Sequence, residues 1–598
     1  MSEASSMIEL LGQAYDQFNT SRPILFTYTH LILSALLPIF AGSHASLSRP
    51  SSAAKPKKKK SKAADDDDDD DDEEDDIKPK MEGLEPSDAL MFPLIAGLTL
   101  GGLYLVIKWL EDPAILNKIL SFYFSQMGLF FAAAFLTDGL KVSRSFIFPS
   151  RYTSRGYEWK IEQSQTLFIS HEEGNQSTSQ SGVQRKSPLP GLIGAIPLPA
   201  AICSFLWTFR GVLYQKLRLR ARILSLINIK TRFGILDTIG AAIALAAVAY
   251  FAFFAKPWWL TNLLGFSFCY GSLQFMSPST FLTGTLILVS LFLYDIYFVF
   301  FTPLMVTVAT KLDVPIKLLI PRPSDPMADP NEISLAMLGL GDIVVPGMMI
   351  GLALRFDLYL YYKYKGLKKP ESADCEQNDT KPIYQTATGG WGERFWTKSK
   401  PTQLSLLQPP YPDAQAFPKP YFYASLIGYI VGMIATLLVM QYSNHAQPAL
   451  LYLVPGVLIS LWGTAFYRGE LPFMLEFSDM SEDAEVDSKT EKDKDNEKGK
   501  SDNKRGLFAR IWAGDVKAPF DISETRKGQE GESKKETSKT TSGDETSMGN
   551  SSKGVSKKTD ELDERCLFSL SISLPKKAPD LQKLCEGSVH KDSSKKKL

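Results

Sequence analysis

The sequence predicts an all-α polytopic membrane protein with about nine transmembrane helices, and two observations support this fold class. Apolar runs of roughly 20 residues recur along the chain, and at about 1.5 Å per residue each can cross the hydrocarbon core of a bilayer. The segments between and after these runs are highly charged and too poor in apolar residues to build a core. The equal totals of 66 basic and 66 acidic residues therefore average two different kinds of sequence.

The first span is predicted at 24–42, after a short N-terminal segment, 1–23, that carries more acidic than basic residues. A secretory signal peptide would begin with a basic region, so this pattern indicates a retained anchor. Lysines follow the span, and this charge asymmetry places the N-terminus outside the cytosol. The linker 43–87 holds a lysine block and then an acidic block at 65–76, and we predict that it is cytosolic and disordered.

Two further spans, near 89–109 and 116–137, complete the region 24–140. The next loop, 141–234, has 14 Lys or Arg against 4 Asp or Glu, which places it in the cytosol. Within this loop, 191–209 is apolar but contains two prolines, and basic residues then interleave with Leu and Ile. We interpret this part as an amphipathic segment at the membrane interface. The alternative, that it crosses the membrane, would invert every later orientation.

Six more spans are predicted within the region 235–470, which also contains a cytosolic loop at 356–420. The weakest of them, 259–276, is rich in polar and small residues, as expected of a helix surrounded by protein. The other five lie near 235–255, 280–302, 333–354, 421–441 and 448–467.

The tail 471–598 is dominated by Lys, Glu, Asp, Ser and Thr, so we predict that it is cytosolic and disordered. It ends in three lysines and Leu598, which resembles the dilysine retrieval address of endoplasmic reticulum membrane proteins. The five cysteines and five histidines of the chain are scattered singly, which argues against a disulfide framework and a zinc site. No metal and no cofactor is predicted.

Two carboxylates, Asp295 and Asp342, lie inside predicted spans, where a charge costs about 3 kcal/mol or more and usually serves function. Asp295 lies seven residues before Thr302, the predicted end of its helix. Asp342 lies eight residues after Ser334, the predicted start of the next helix. As antiparallel neighbours, these helices would hold both carboxyls roughly 10–12 Å from the same membrane face.

If the two carboxyls lie side by side at this depth, they cannot both ionise easily and tend to share a proton. One can then activate water as a general base while its protonated partner polarises a peptide carbonyl. Gly339 and Gly341 flank the second carboxylate, and small residues let transmembrane backbones approach closely. Composition and topology equally permit a transporter or channel in which the carboxylates carry protons or cations.

Three short motifs occur in chain order, each in a separate predicted span: Tyr294-Asp295, Gly339-Leu340-Gly341-Asp342 and Gln447-Pro448-Ala449-Leu450. They resemble the YD, GxGD and PAL motifs that presenilins and signal peptide peptidases share. The surrounding strings at 305–309, 336–342, 354–357 and 445–455 are similar to the signal peptide peptidase family rather than to presenilins. The three motifs together favour this family over the transporter.

The resemblance implies a presenilin-like membrane fold and an intramembrane aspartyl protease of the endoplasmic reticulum, with Asp295 and Asp342 as the catalytic dyad. The other motif residues would support the geometry of the dyad or shape the active site: Tyr294, Gly339, Leu340, Gly341, Pro448, Ala449 and Leu450. The implied substrates are type II transmembrane segments, including signal peptide remnants.

The expected partners are these substrate helices and the lipid bilayer, and no nucleic acid is expected. Membrane-protein degradation factors and a second copy of the chain are further candidates. A scaffold that binds such factors through its charged loops and tail is a rival function, and it is compatible with catalysis.

Overall fold

The structure is a computed structural model, and it describes the core of the chain and part of the loop that precedes the fourth predicted span. Residues 1–23, the acidic block, most of the tail and the terminal lysines lie outside the described residues. The described residues are 25–55, 81–110, 114–154, 157–162, 166–172, 184–191, 194, 196–223, 227–304, 307–308, 317–321, 335–367, 381–397, 416–443, 447–479 and 568–573.

Helices dominate the described residues. They are α1 (Leu25–Ala45), α2 (Pro86–Leu110), α3 (Ala114–Ile147), α4 (Ala200–Tyr214), α5 (Ile235–Phe253), α6 (Trp258–Phe275), α7 (Phe281–Phe300), α8 (Gly341–Leu367), α9 (Trp391–Trp396), α10 (Pro420–Ser443), α11 (Leu450–Arg468) and α12 (Leu471–Glu476). The strands are β1 (Glu82–Leu84), β2 (Arg151–Ser154), β3 (Tyr157–Glu162), β4 (Leu167–Glu172), β5 (Gln184–Arg185), β6 (Lys216–Ile223), β7 (Ile227–Gly234), β8 (Met276–Pro278), β9 (Lys317–Pro321), β10 (Leu335–Gly339) and β11 (Phe568–Ser573).

A long helix lies at each of the nine predicted spans. In the part of the chain that the structure describes, eight of these helices are long and apolar enough to cross a membrane: α1, α2, α3, α5, α7, α8, α10 and α11. The ninth, α6, corresponds to the span predicted as weakest, and more than half of its residues are buried. The predicted polytopic helical membrane architecture is confirmed.

The chain divides into two compact units, 1–146 with 240–529 and 147–239 with 530–598. The first unit contains the long helices, except for the first turn of α5, and its largest cluster of buried apolar residues is built mainly around α8. Its strands form two short sheets, in which β1 pairs with β8 in parallel and β9 pairs with β10 antiparallel.

The second unit contains two antiparallel sheets, which the all-α prediction did not include. One has the strand order β2-β3-β4-β5 and the other β11-β6-β7. Basic and apolar residues alternate strictly at 216–223, and this period of two fits the observed strand, so the amphipathic segment predicted here is a strand in this part. The tail was predicted to be disordered, but six of its residues form β11.

The helix α8 differs from its predicted span, 333–354. It starts later because Leu335–Gly339 forms β10, and it ends later because two charged residues near its middle have polar partners inside the protein. Arg355 pairs with Asp479 at 2.7 Å. The carboxylate of Asp357 accepts hydrogen bonds from two backbone amides in the first turn of α10. In the sequence, Arg355 and Asp357 resembled the end of a span, but both lie inside α8.

Lys419 precedes α10 and places its amine 2.9 Å from Nε2 of His44. Burial, and next the cation of Arg394, lowers the pKa of Lys419 from 10.5 to about 8. The unfolded chain therefore binds more protons than the folded chain between about pH 8 and pH 10.5, so the free energy of unfolding rises with pH in this window.

We expect Lys419→Met to flatten this rise in the free energy of unfolding, measured as the melting temperature at several pH values. Lys381→Met, at an exposed lysine, should keep the rise. Equal pH profiles for wild type and Lys419→Met would contradict this assignment.

Candidate active site

The structure brings Asp295 and Asp342 together, close enough for their carboxylates to interact electrostatically. Asp295 lies five residues before Phe300, the last residue of α7, and it is 4% exposed. Asp342 is the second residue of α8 and is partly exposed. It thus lies in the first turn of its helix rather than eight residues into it. The positive end of the α8 dipole faces its carboxylate.

The Pro-Ala-Leu segment contributes a backbone donor to this pair. The N–H group of Leu450 donates to Oδ2 of Asp295 at 3.1 Å. Leu450 is the first residue of α11, and first-turn amides have no acceptor within their own helix. Pro448, two residues earlier, has no N–H group. The start of α11 therefore leaves an amide free to position one carboxylate of the pair.

Close packing of α10 against α11 places that amide. A Cβ on Gly432 would lie 2.7 Å from the carbonyl oxygen of Tyr452 and 3.0 Å from Cα of Leu453. Only glycine permits this approach of one helix to the first turn of the other.

We therefore expect Gly432→Ala to push the start of α11 away, lowering the free energy of unfolding by about 1–3 kcal/mol and reducing activity. Gly463→Ala is the matched control on α11, because a Cβ there would meet no atom within 4 Å. Melting temperature and turnover in detergent test both variants. If the two variants behave alike, the packing does not control the site.

The second carboxylate is held through its backbone and its neighbours. The hydroxyl of Tyr429, on α10, donates to the carbonyl oxygen of Asp342 at 3.4 Å. A Cβ on Gly339 would lie 3.4 Å from Oδ2 of Asp342, which is ordinary contact. The sequence pattern suggested that Gly341 permits close helix packing, but a Cβ there would meet no atom within 4 Å. The space beside Gly341 is open.

The chain reaches Asp342 through β10, whose position is fixed by a buried polar side chain of α6. Asn262 donates to the carbonyl oxygen of Leu319 and accepts from its amide, both at 2.8 Å. Leu319 is the central residue of β9, and β9 pairs with β10. Leu340 is buried immediately before the helix, where one of its methyl carbons would lie 3.3 Å from a Cβ on Gly265.

One edge of β10 pairs with β9, and among the described strands nothing pairs with its other edge. Leu335 and Met337 are 37% and 52% exposed, while Ala336 and Leu338 between them are buried. The strand therefore presents backbone donors and acceptors to an extended segment, within a few residues of Asp342.

Tyr294 does not reach the carboxylate pair through a hydrogen bond. Its ring contacts Phe298, with centroids 4.4 Å apart, and lies near Gly97 of α2. It therefore packs α7 against α2.

Sequence reasoning missed two residues of this site. Asn262 is a polar amide inside a span, which is a signal that could have identified it. Tyr429 lies in an apolar span with many aromatic neighbours, and no sequence signal distinguishes it. Within the described ranges, no group of three or more His, Cys, Asp or Glu side chains is placed to hold a metal ion.

Comparison with known proteins agrees with this architecture. A family model described as signal peptide peptidase matches residues 76–481. The signal peptide peptidase of Mus musculus is 28% identical over 480 residues, which cover 79% of this chain and 89% of the relative. The human signal peptide peptidase is 27% identical over 464 residues, covering 77% of this chain and 85% of the relative.

A probable intramembrane protease of Schizosaccharomyces pombe is 35% identical over 256 residues, which cover 43% of this chain and 68% of the relative. The matched family region contains both carboxylates, β10 and the start of α11. The chain therefore belongs to the signal peptide peptidase family and is an intramembrane protease.

Proposed function

We propose that the chain is an aspartyl endopeptidase that hydrolyses peptide bonds within type II transmembrane segments, including signal peptide remnants. The observation that carries the proposal is the pairing of Asp295 and Asp342 at the adjoining ends of two transmembrane helices. The names of the mouse and human relatives support signal peptides as substrates.

In this proposal the carboxylates share one proton, since both cannot ionise easily at short range. The ionised one removes a proton from water, which attacks the scissile carbonyl, and the protonated one donates to the carbonyl oxygen. The Leu450 amide keeps Asp295 in place during the reaction. The first carboxyl then gives its proton to the leaving amine as the C–N bond breaks, and a hydroxyl of the tetrahedral diol returns its proton to the second carboxylate, so the pair again shares one proton.

A substrate helix must unwind locally, because its own hydrogen bonds shield the carbonyl groups. The open edge of β10 and the backbone before Leu450 both offer partners to the unwound stretch, which would add as a strand. The exposed Leu335 and Met337 would contact alternate substrate side chains.

The test is incubation of the purified full chain with a labelled type II signal peptide helix. We expect internal cleavage, blocked by transition-state analogues of aspartyl proteases. A matched substrate with a rigid, leucine-only centre should be cleaved more slowly, because it resists unwinding. Equal cleavage of both substrates would exclude strand addition, and resistance to the analogues would exclude the aspartyl mechanism.

The carboxylate-driven transporter is the rival function. Proteoliposomes that contain the chain should show no proton or cation flux above empty vesicles while they cleave the substrate. Flux that depends on Asp295 and Asp342, without cleavage, would support the transporter instead.

We also propose residence in the endoplasmic reticulum membrane, with a lumenal N-terminus and a cytosolic C-terminus bearing the dilysine-like end. The excess of basic residues in 141–234 supports this orientation. Protease protection of tags placed at each terminus tests it: in sealed microsomes the C-terminal tag should be digested and the N-terminal tag protected.

A further inference from the structure

The second unit is tethered to the membrane at both ends. It begins at 147, where α3 ends, and it runs into the first turn of α5. Its own helix, α4, has 15 residues and spans only about 22 Å, which is shorter than a hydrocarbon core of about 30 Å. No described helix of the unit is long enough to cross the bilayer, so the chain returns to the bilayer at the face where it left.

One face of the sheet β11-β6-β7 concentrates basic positions. Residues two apart in a strand share a face, and directly paired residues of neighbouring strands share it too. The register pairs Arg218 with Arg232 and Arg220 with Lys230. Six basic residues therefore occupy positions on one face: Lys216, Arg218, Arg220, Arg222, Lys230 and Arg232.

The tail strand extends this face without neutralising it. Ser571 of β11 pairs with Arg220, and the serines two residues to either side pair with Arg218 and Arg222. No Asp or Glu occurs in any of the three strands. The other face of the sheet takes the alternate, mainly apolar residues. Basic positions therefore predominate on one face of the sheet.

An apolar stripe lies immediately before this sheet in the chain. Ile202, Phe205, Phe209 and Val212 of α4 are 46%, 66%, 45% and 37% exposed. Their spacing of three and four residues places them on one side of the helix. The other side is fixed to the unit, where Trp207 donates to the carbonyl oxygen of Lys186 at 2.7 Å. The helix therefore holds a row of large apolar side chains in an exposed position.

We propose that α4 and the cationic face of β6-β7-β11 together form a docking site for an anionic lipid surface. The apolar stripe enters the interface between headgroups and acyl chains, and the basic residues bind lipid phosphates and carboxylates. The tether at both ends supplies a high effective concentration of the bilayer, so weak individual contacts suffice. The charge pattern and the continuity with α3 and α5 identify a bilayer as the occupant.

Hydrogen exchange of the full chain in lipid nanodiscs tests the proposal. One preparation contains only phosphatidylcholine, and the other also contains phosphatidylserine. We expect slower amide exchange across 200–223 and 227–234 in the anionic discs, and loss of that difference at high salt. Exchange in 157–162, on the other sheet, should be equal in both preparations. Equal exchange of α4 and the hairpin in both discs would overturn the proposal.

A triple variant, Arg218→Gln with Arg220→Gln and Arg222→Gln, should reduce the lipid-dependent protection by about tenfold or more. If this variant also exchanges faster in 157–162, the unit has been destabilised. Lys216→Gln with Arg232→Gln, at the base of the hairpin, then provides the test. Lys160→Gln removes one positive charge outside the cationic face; as the control, it should keep the full protection of 200–223 and 227–234.

Phe205→Ser with Phe209→Ser tests the apolar stripe and should remove the protection of α4 in anionic discs. RNA or heparin added to the phosphatidylcholine discs tests whether a soluble polyanion, rather than an anionic lipid, protects the same amides. Protection by these polymers but not by phosphatidylserine would identify a soluble polyanion as the partner and would overturn the lipid proposal. The lipid proposal would also be overturned if both basic-residue variants kept full protection in the anionic discs.

Discussion

Asp295→Asn and Asp342→Asn should each lower the turnover of a transmembrane substrate by about 10³–10⁴-fold or more, because each removes one half of the acid–base pair. The asparagine cannot exchange a proton with water or with the scissile carbonyl. Its side-chain oxygen can still accept from the Leu450 amide at position 295, so the start of α11 should stay in place. Loss of turnover without loss of substrate binding is therefore expected.

The control is Asp138→Asn, which changes another carboxylate inside a long helix. Asp138 lies on α3 and accepts from the hydroxyl of Tyr270 at 2.7 Å, a bond that asparagine can also accept. We expect this variant to retain turnover close to that of wild type. Melting temperatures of all three variants show whether the fold is intact. Substantial cleavage by either dyad variant would remove Asp295 and Asp342 from the proposed mechanism.

Much of this site could be predicted because its chemistry is costly in lipid. A carboxylate within an apolar run stands out in the sequence, and two of them in successive runs suggested that the helices meet. The amide of Leu450 could not be predicted as the partner of Asp295. That bond depends on where α11 begins, and proline at 448 limits the start without fixing which amide faces the carboxylate.

The strand β10 escaped prediction for a different reason. Its sequence is apolar and continuous with the following helix, so hydropathy assigns both to one span. Pairing with β9, which Asn262 anchors from another helix, determines the strand conformation. Such a tertiary contact leaves no periodic signal. The basic strand β6 was different, since its strict alternation was visible and fits a strand better than a helix.

The charges of α8 show how the protein interior overrides a composition rule. Arg355 and Asp357 would normally mark the end of a span. Here Arg355 is buried and Asp479 supplies its counter-charge, after the last long helix has ended. Ser46 and Ser277 accept from the same guanidinium. Residues distant in sequence therefore determine where α8 can continue.

We expect Asp479→Ala to lower the free energy of unfolding by about 3–5 kcal/mol, since it leaves the Arg355 guanidinium buried without a counter-charge. The pair is 2.7 Å apart, and its side chains are 4% and 12% exposed. Glu476→Ala is the matched control from the same C-terminal segment. Glu476 is 70% exposed and pairs with Lys363 at 3.5 Å, so its removal should cost only about 0–1 kcal/mol.

A double variant separates the buried charge from the geometry that surrounds it. If the unpaired cation is the cause of the loss, Arg355→Met combined with Asp479→Leu should recover most of the lost stability, because neither charge is then buried alone. Arg355 lies 13 residues after Asp342 on the same helix, about 20 Å away, so turnover well below the melting temperature should change little. Thermal unfolding in detergent and turnover at low temperature measure the two effects separately. A double variant as unstable as Asp479→Ala would show that the C-terminal segment stabilises α8 through packing rather than through charge.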